Sequence, residues 1–380
     1  MGEKRRFKRG VTIVDVADAL GVAPSTVSNA LHGKEIVAPR TKARVLAMAK
    51  AMNYQASAAA RALVTRRSLS VGVILPDFAN PVFNEIISGL TSVLAPANYA
   101  TLVASTSKDG QTCKSAIHAF LKRDVDAIVV ISQSLDSEET AQLGGSGLPV
   151  ILVHRTPQDW RTTHAPSSTF DYVGMDNAGG VRALTEHLAR LGHRHIGFIT
   201  GPIHSSAAGE RTRGYHEAVA ALSLENQPDL IVEGNYDFIA GMRAARTLLS
   251  RPARPSAVIA ANDLMAFGTM DVAQQMGLSV PDDLSVVGVD DIFFSAFPMI
   301  SLTTARQPAT EIGASVGKRL LERFLDETLA PVALTLPVGI TVRHSTAKAP
   351  NPFRPGNPLS SERLEAYLAN RWNPSTILIA

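Results

Sequence analysis

The sequence predicts a mixed architecture: an N-terminal all-α head, then a larger α/β body whose parallel sheets carry helices on both faces. Through about Met52 the apolar residues recur at helical spacing in short segments, whereas from Ser70 short apolar runs alternate with amphipathic stretches. Charge divides near the same place: through Arg67 there are 13 Lys and Arg against 4 Asp and Glu, leaving 24 against 30 for the other 313 residues. A chain of 380 residues is also longer than one ordinary core supports, which implies two or three domains.

In the head, Thr12 precedes the apolar set Ile13, Val16, Ala17 and Leu20, and Asp15 completes a capping box with Asp in place of Glu. Gly21-Val22-Ala23 interrupts this helix. Pro24 suits a first helical position and starts a second helix through Val27, Ala30 and Leu31, which Gly33 ends. A third runs from roughly Arg40 to Met52, with Val45, Ala49 and Met52 on one face. Two short helices joined by a three-residue turn containing Gly form a helix-turn-helix, whose second helix enters the major groove of DNA. A generic helical hairpin has the same pattern, and the basic charge has its own bland alternative in a solvated tail. The two signals together favour nucleic acid.

In the body, Val71–Leu75, Ala127–Ile131, Val150–Val153, His195–Ile199, Ala257–Ala260 and Val286–Val289 read as strands alternating with amphipathic helices. Ligands of such sheets bind beyond the carboxyl ends of the strands. Those ends carry Pro76-Asp77, Ser132-Gln133, His154-Arg155, Asn262-Asp263 and Asp290-Asp291. After Ala349, four prolines (350, 352, 355 and 358) break up the chain before a helix read over Ser360–Trp372. Its single apolar stripe of Leu364, Tyr367, Leu368 and Trp372 is too short for a tetramerising coil and is expected to pack on its own dimer.

Several function classes lack their signatures. Mean hydropathy is +0.08, and no apolar run approaches the about 18 residues of a membrane span. The basic start leads into no apolar segment of a secretory signal. The single cysteine, Cys113, excludes an internal disulfide, fits a reducing cytoplasm and reads as a buried small hydrophobe rather than a nucleophile. No Gly-x-Gly-x-x-Gly, Walker loop, Gly-x-Ser-x-Gly or His-Glu-x-x-His is present, and His193-Arg194-His195 lacks metal-ligand spacing. The expectation is a binding protein with no catalytic residue, metal or cofactor.

Val11–Leu31 (VTIVDVADALGVAPSTVSNAL) resembles the head of the lactose-repressor (LacI/GalR) family, and Asn53-Tyr54 with Ala60-Arg61-Ala62-Leu63 resembles its hinge. The stretch Val71–Ser105, with Pro76-Asp77-Phe78-Ala79-Asn80-Pro81, is similar to the family's first sensor lobe. Gly201-Pro202, Glu210-Arg211, Gly214-Tyr215, Ala261-Asn262-Asp263, Val280-Pro281 and Gly288-Val289-Asp290-Asp291 are similar to the second. The resemblance spans about residues 11–346. It implies a periplasmic-binding-protein-like sensor of two lobes, a homodimer formed through it, and a palindromic double-stranded operator. The implied division is a DNA-binding domain over 11–56, a hinge over 57–69, a sensor over 70–346 and an extension over 347–380. Within the sensor, lobe 1 takes about 70–165 plus 300–328 and lobe 2 about 166–299 plus 329–346. This sequence departs from the family at Ala23, usually Ser or Thr, at Asn29, often Arg, and at Ala56, usually Pro. Base preference therefore stays open.

By position, the resemblance assigns Pro24, Ser25, Thr26, Ser28 and Asn29 to base or phosphate contacts, Thr12 to phosphate, and Ala60 with a wedging Leu63 to the minor groove. The chemistry suits these roles, since hydroxyls bond phosphate or base edges and Asn bridges adenine N6 and N7. A local cap is the alternative for each single Ser or Thr. It further assigns Phe83, Gln133, Asp176, Arg211, Tyr236, Asn262 and Asp290 to a ligand cleft. Ring faces beside Arg, Asp and Asn suit a hydroxylated or heterocyclic ring, although Asp290 and Arg211 would also serve as a buried pair holding the lobes.

The expected protein is a cytoplasmic, sequence-specific transcription regulator, most simply a repressor, whose operator affinity a small ligand changes by favouring one lobe arrangement. A sugar is the default ligand and a purine or nucleoside the second choice. A secreted solute-binding protein would lack the basic head, and a dinucleotide enzyme would need the missing glycine fingerprint. The hinge segment Ser57–Leu63, about two turns long, is expected to be helical only when paired on DNA. Because the head's cations displace counterions from phosphate, operator affinity should fall steeply between about 50 and 200 mM salt. Fluorescence anisotropy across that range checks this, and a flat profile would refute the basic-head interpretation.

Overall fold

The computed structural model describes residues 11–31, 35–54, 67–106, 111–132, 135–154, 170–225 and 227–350. The chain divides into two compact units, Met1–Leu69 and Ser70–Ala380. Gly33, the hinge positions through residue 66 (Ala60 and Leu63 among them), Gln133 and the extension from residue 351 lie outside the described residues.

The first unit contains α1 (Ile13–Leu20), α2 (Pro24–Leu31) and α3 (Pro39–Ala51). The capping box is formed: Asp15 N–H donates to Thr12 Oγ1 at 3.3 Å, and Thr12 N–H donates to Asp15 Oδ2 at 2.7 Å. Gly21 ends α1 in the left-handed region at φ 65°, where a Cβ would be strained. Val16 and Ala17 from α1, Val27 and Ala30 from α2 and Val45 from α3 close one small core. The three helices thus bury one stripe each and leave the polar face of α2 at the surface.

The second unit is built on two six-stranded sheets. The first comprises β1 (Ser70–Leu75), β2 (Ala100–Ser105), β3 (Ala127–Ile131), β4 (Val150–Val153), β5 (Asp171–Met175) and β11 (Ala333–Leu336), in the order β11-β5-β4-β3-β1-β2. The second comprises β6 (Ile196–Thr200), β7 (Ile231–Glu233), β8 (Ala257–Ala260), β9 (Ser285–Asp290), β10 (Thr303–Arg306) and β12 (Gly339–Thr341), in the order β12-β10-β9-β8-β6-β7. Every pairing is parallel except β10 with β12. Helices α4 (Pro81–Leu94), α5 (Gln111–Leu121), α6 (Ser137–Gly144) and α11 (Ala309–Leu325) serve the first lobe. Helices α7 (Asn177–Arg190), α8 (Ser206–Ala221), α9 (Phe238–Leu249) and α10 (Asp263–Gln275) serve the second.

The sheets correct the lobe limits expected from sequence. β5 belongs to the first sheet, β10 to the second and β11 to the first, so the chain crosses between lobes after Met175, after Arg306 and after Leu336. Hydrogen-bonding partners decide this, and short apolar runs fit either sheet equally well. At the edge of the first sheet, the buried Asp171 carboxylate accepts from Arg319 Nε (3.0 Å), Arg323 Nε (2.8 Å) and the Val332 N–H (2.8 Å). That cluster ties α11 and the approach to β11 onto β5. Helices α4 and α11 cross at backbone distance, because a Cβ at Gly313 would lie 1.9 Å from the Ile86 carbonyl and one at Gly89 2.1 Å from that of Thr310.

Cys113 is buried in the first-lobe core, and burial with Glu139 nearby pushes its thiol up to about 12, which keeps it protonated and unreactive. His193 proves structural. Its buried ring accepts or donates at Ser256 Oγ (2.9 Å) through Nδ1 and meets the Ala347 carbonyl (3.1 Å) through Nε2. A carbonyl only accepts, so Nε2 carries the proton and Nδ1 is the acceptor. The ring thereby holds the segment around Ala347 against the second lobe, helped by Ala349 N–H to the Leu191 carbonyl at 2.9 Å.

Burial pulls the His193 pKa below its ordinary value, so the unfolded chain takes up a proton before the folded one does. Sensor stability should therefore decline as pH falls from about 7 to about 5, through the ordinary histidine range. Urea denaturation at each pH measures it, and His193→Gln should give a lower but flatter profile. An equal pH slope in the variant would remove His193 as the cause.

Candidate DNA-reading helix and effector cleft

Within the head, α2 carries the residues assigned to DNA on its outward side. Val27 and Ala30 are buried, Pro24 and Ser25 are exposed, and Thr26, Ser28 and Asn29 are half-buried. The structure thus brings five of the eight assigned positions onto one helix of two turns. Thr12 stands at the start of α1, where its hydroxyl also donates to Asp15 Oδ2 at 2.7 Å. Those bonds hold the Asp15 carboxyl below the usual carboxylate range, so Thr12 works as a cap whether or not it meets phosphate.

In the sensor, a cavity of about 260 Å³ lies where the carboxyl ends of the two sheets converge. Asp77 and Asn80 follow β1, Ser132 follows β3 and His154 follows β4. From the other lobe, Ser205 follows β6, Tyr236 and Asp237 follow β7, Asn262 follows β8, and Asp290 ends β9. Gln307, just after β10, completes the floor. Parallel strands leave their last carbonyls and following loops at one edge, so two such sheets facing each other supply polar groups from both sides. Four residues of the lining, Ser132 (φ 53°), His154 (66°), Tyr236 (60°) and Asp290 (127°), have left-handed backbones. Such strain costs roughly 1–3 kcal/mol per residue and clusters at ligand sites.

The cleft's side chains are held by hydrogen bonds within the protein. Arg211 donates from Nε to Asn177 Oδ1 at 2.8 Å and from Nη1 to the Ala261 carbonyl, and its guanidinium lies 5.8 Å from the Tyr236 ring centroid. Asn262 caps α10 by accepting from Met265 N–H at 3.0 Å and donates to the Tyr236 carbonyl at 2.9 Å. Tyr236 lies over Gly201, where a Cβ would come within 2.1 Å of the ring. Asp290, 5% exposed, accepts from Asn80 Nδ2 at 3.2 Å. Burial pushes its carboxyl up, while Arg211 and Asn80 favour the ionised form. Beneath it Asp263 is also pushed up, first by burial and then by Asp290. It accepts from Ser295 Oγ and Thr304 Oγ1, both at 2.6 Å, and from Ile292 N–H at 3.0 Å.

Phe83, Arg211, Tyr236, Asn262 and Asp290 therefore meet at one cavity, and Gln133 lies outside the described residues. Asp176 does not line this cavity. It is exposed, and its carboxylate caps α7 through Gly179 N–H at 2.8 Å. The residue sits at the first crossover, where the helix start takes its Oδ1. The direct Arg211–Asp290 pair is not formed either, since each spends its bonds on other partners. Sequence reasoning missed Asn80, Ser205 and Gln307 as lining residues. Asn80 stood inside a motif already singled out, whereas Gln307 follows a strand too short to be read. Among the described residues, no group of His, Cys, Asp and Glu is placed to hold a metal, and no helix is long and apolar enough to cross a membrane.

Comparison with known proteins agrees with this geometry. Residues 12–57 match the model for bacterial regulatory proteins of the lacI family, and residues 185–346 match a periplasmic binding protein-like domain. A transcriptional repressor PurR from Aliivibrio salmonicida (strain LFI1238) is 31% identical over 319 residues, covering 83% of this chain and 93% of the relative. The lac repressor dimer bound to operator and the anti-inducer ONPF superposes with a TM-score of 0.78 at 27% identity, over 89% of this chain and 100% of that one. The complex of the transcriptional regulator CelR with cellobiose gives 0.67 at 30% identity, over 88% of this chain and 99% of that one. With a lacI-type head joined to a two-lobed sensor that converges on one strand-end cleft, the chain belongs to the LacI family of DNA-binding transcriptional regulators.

Proposed function

We propose that this regulator is a homodimeric repressor of a palindromic operator, released or engaged by a neutral polyhydroxylated ligand, most simply a sugar, bound in the cleft. The carrying observation is the convergence of Asp290, Arg211 and Asn262 with the ring faces of Tyr236 and Phe83 on one cavity. Vicinal hydroxyls present donors and acceptors in pairs, which carboxylate, guanidinium and amide groups bond in complementary directions. The aromatic faces accept the apolar C–H surface of a ring. The structural relative bound to cellobiose supports the sugar reading, and the PurR relative supports a purine as the second one. We infer ligand binding rather than turnover, as in these regulators, and a cytoplasmic site of action beside DNA.

Dimerisation through the sensor is supported by an apolar patch on the loop after β9. Phe293, Phe294 and Met299 are 65%, 42% and 87% exposed, and Phe293, Phe294 and Phe297 stack edge to face. A patch of this kind marks an interaction surface in a folded domain. Met299→Asp combined with Phe293→Asp should convert dimer to monomer in light scattering while leaving the thermal transition of the sensor recognisable. A variant that stays dimeric would move the interface elsewhere.

A thermal-shift screen of monosaccharides, polyols, nucleobases and nucleosides tests the ligand class, because a ligand bound only by the native state raises its melting temperature. A gel shift with DNA from upstream of the protein's own operon tests the regulator reading. Arg211→Ala and Asp290→Asn should each weaken the screened ligand by about tenfold or more, as expected for charged hydrogen bonds of roughly 1.5–3 kcal/mol. Operator binding without ligand should survive Arg211→Ala. Calorimetry that showed wild-type ligand affinity in both variants would leave these residues only a structural role.

A further inference from the structure

The two lobes are joined by covalent crossovers, but at the cleft floor they are also joined by side chains. Asn80 belongs to the first lobe and Asp290 to the second. Both are buried, 8% and 5% exposed, and Asn80 Nδ2 donates to Asp290 Oδ2 at 3.2 Å. The other atom of the same amide is equally committed, because Asn80 Oδ1 accepts from Val82 N–H at 3.1 Å and so starts α4. Asp290 is anchored from a second direction: its carbonyl accepts from Gln307 N–H at 3.1 Å, and the Gln307 side-chain amide meets His154 Nε2 of the first lobe at 2.9 Å. These bonds surround a residue whose own backbone is strained at φ 127°.

We propose that Asn80 is a positioning residue, an interlobe clasp that sets the arrangement of the two lobes by holding Asp290 with one end of its amide while capping α4 with the other. The carboxylate that the clasp grips is the one the cleft offers to a ligand, so occupancy of the cleft is reported directly to the start of α4. Helix α4 crosses α11 at glycine contacts too close to deform gradually, and the whole first lobe therefore follows the clasp. A residue that only caps, with no donor reaching Asp290, would still start α4 but leave the lobes unfastened.

The inference rests on the cleft being the ligand site, and its test is kept separate from that reading. Asn80→Asp preserves the helix cap, since Asp caps as well as Asn. It replaces the donor with a second carboxylate facing Asp290. The double variant Asn80→Asp, Asp290→Asn restores one amide against one carboxylate with the roles reversed. Spin labels on cysteines replacing the exposed Lys122 and Arg243, one in each lobe, report the lobe separation by pulsed electron resonance. The full-length labelled protein, diluted with unlabelled protein so that only distances within a protomer count, is measured without ligand.

The expected result is a new distance population in Asn80→Asp, with the ratio of populations changed by about tenfold or more, and return to the wild-type distribution in the double variant. A wild-type distribution in the single variant, or no recovery in the double, overturns the clasp. If Asn80→Asp fails to fold, Asn80→Ser supplies a cap that is too short to reach Asp290 and must show the same new population. The screen of sugars and nucleosides on the wild-type protein addresses the ligand reading by itself, so either can fail alone.

Discussion

A carboxylate buried at the end of β9 has to be satisfied by groups brought from elsewhere in the chain, and the sensor is organised around that need. An ionised group taken out of water and left without donors is costly by several kcal/mol or more. Asp290 receives Asn80 from the first lobe and the field of Arg211 from α8, while its backbone is pinned by Gln307. Its neighbour Asp263 takes three donors from the loop and strand that follow β9. Burial raises the proton affinity of both carboxyls and Asp290 raises that of Asp263 further, so the donors about them are what hold the site together.

The same logic explains why the cleft is rigid where it touches a ligand and divided where it must move. Arg211 and Asn262 each bond to backbone or helix-cap groups of their own lobe, so their geometry is set by that lobe alone. Among the described residues, side-chain hydrogen bonds join the lobes at the cleft: Asn80 with Asp290, and His154 with Gln307. Polar contacts of this kind exchange partners at modest cost, whereas the glycine-mediated crossing of α4 and α11 and the Asp171 cluster keep the first lobe a single body. A ligand that engages both sides of the cleft thereby acts on the separation of two stiff parts. That is the property a regulator needs in order to convert small-molecule binding into a change in its DNA-binding form.

Much of this was legible in residue order. The capping box at Thr12 and Asp15, Pro24 opening α2 and Gly21 closing α1 are local devices, and each forms where the sequence places it. The strands over 71–75, 127–131, 150–153 and 257–260 agree with the observed elements to within one residue, because buried parallel strands are continuous apolar runs. Asn262 and Asp290 stand in motifs at strand ends, and Phe83, Arg211 and Tyr236 were assigned by the family resemblance; all five line the cavity.

What order along the chain left open are the questions decided by partners distant in sequence. Whether β5, β10 and β11 join one sheet or the other depends on which strands they pair with, in the case of β5 with β11 across more than a hundred residues, and such short stretches are compatible with either sheet. Asp176 and Asn80 are both polar residues at helix starts, yet one ends as an exposed cap and the other as a buried bridge. Local sequence determined that each would cap a helix, since capping needs only the next three residues. Only the tertiary structure decided which of them faces a carboxylate 210 positions away, because that depends on how the two sheets align their ends.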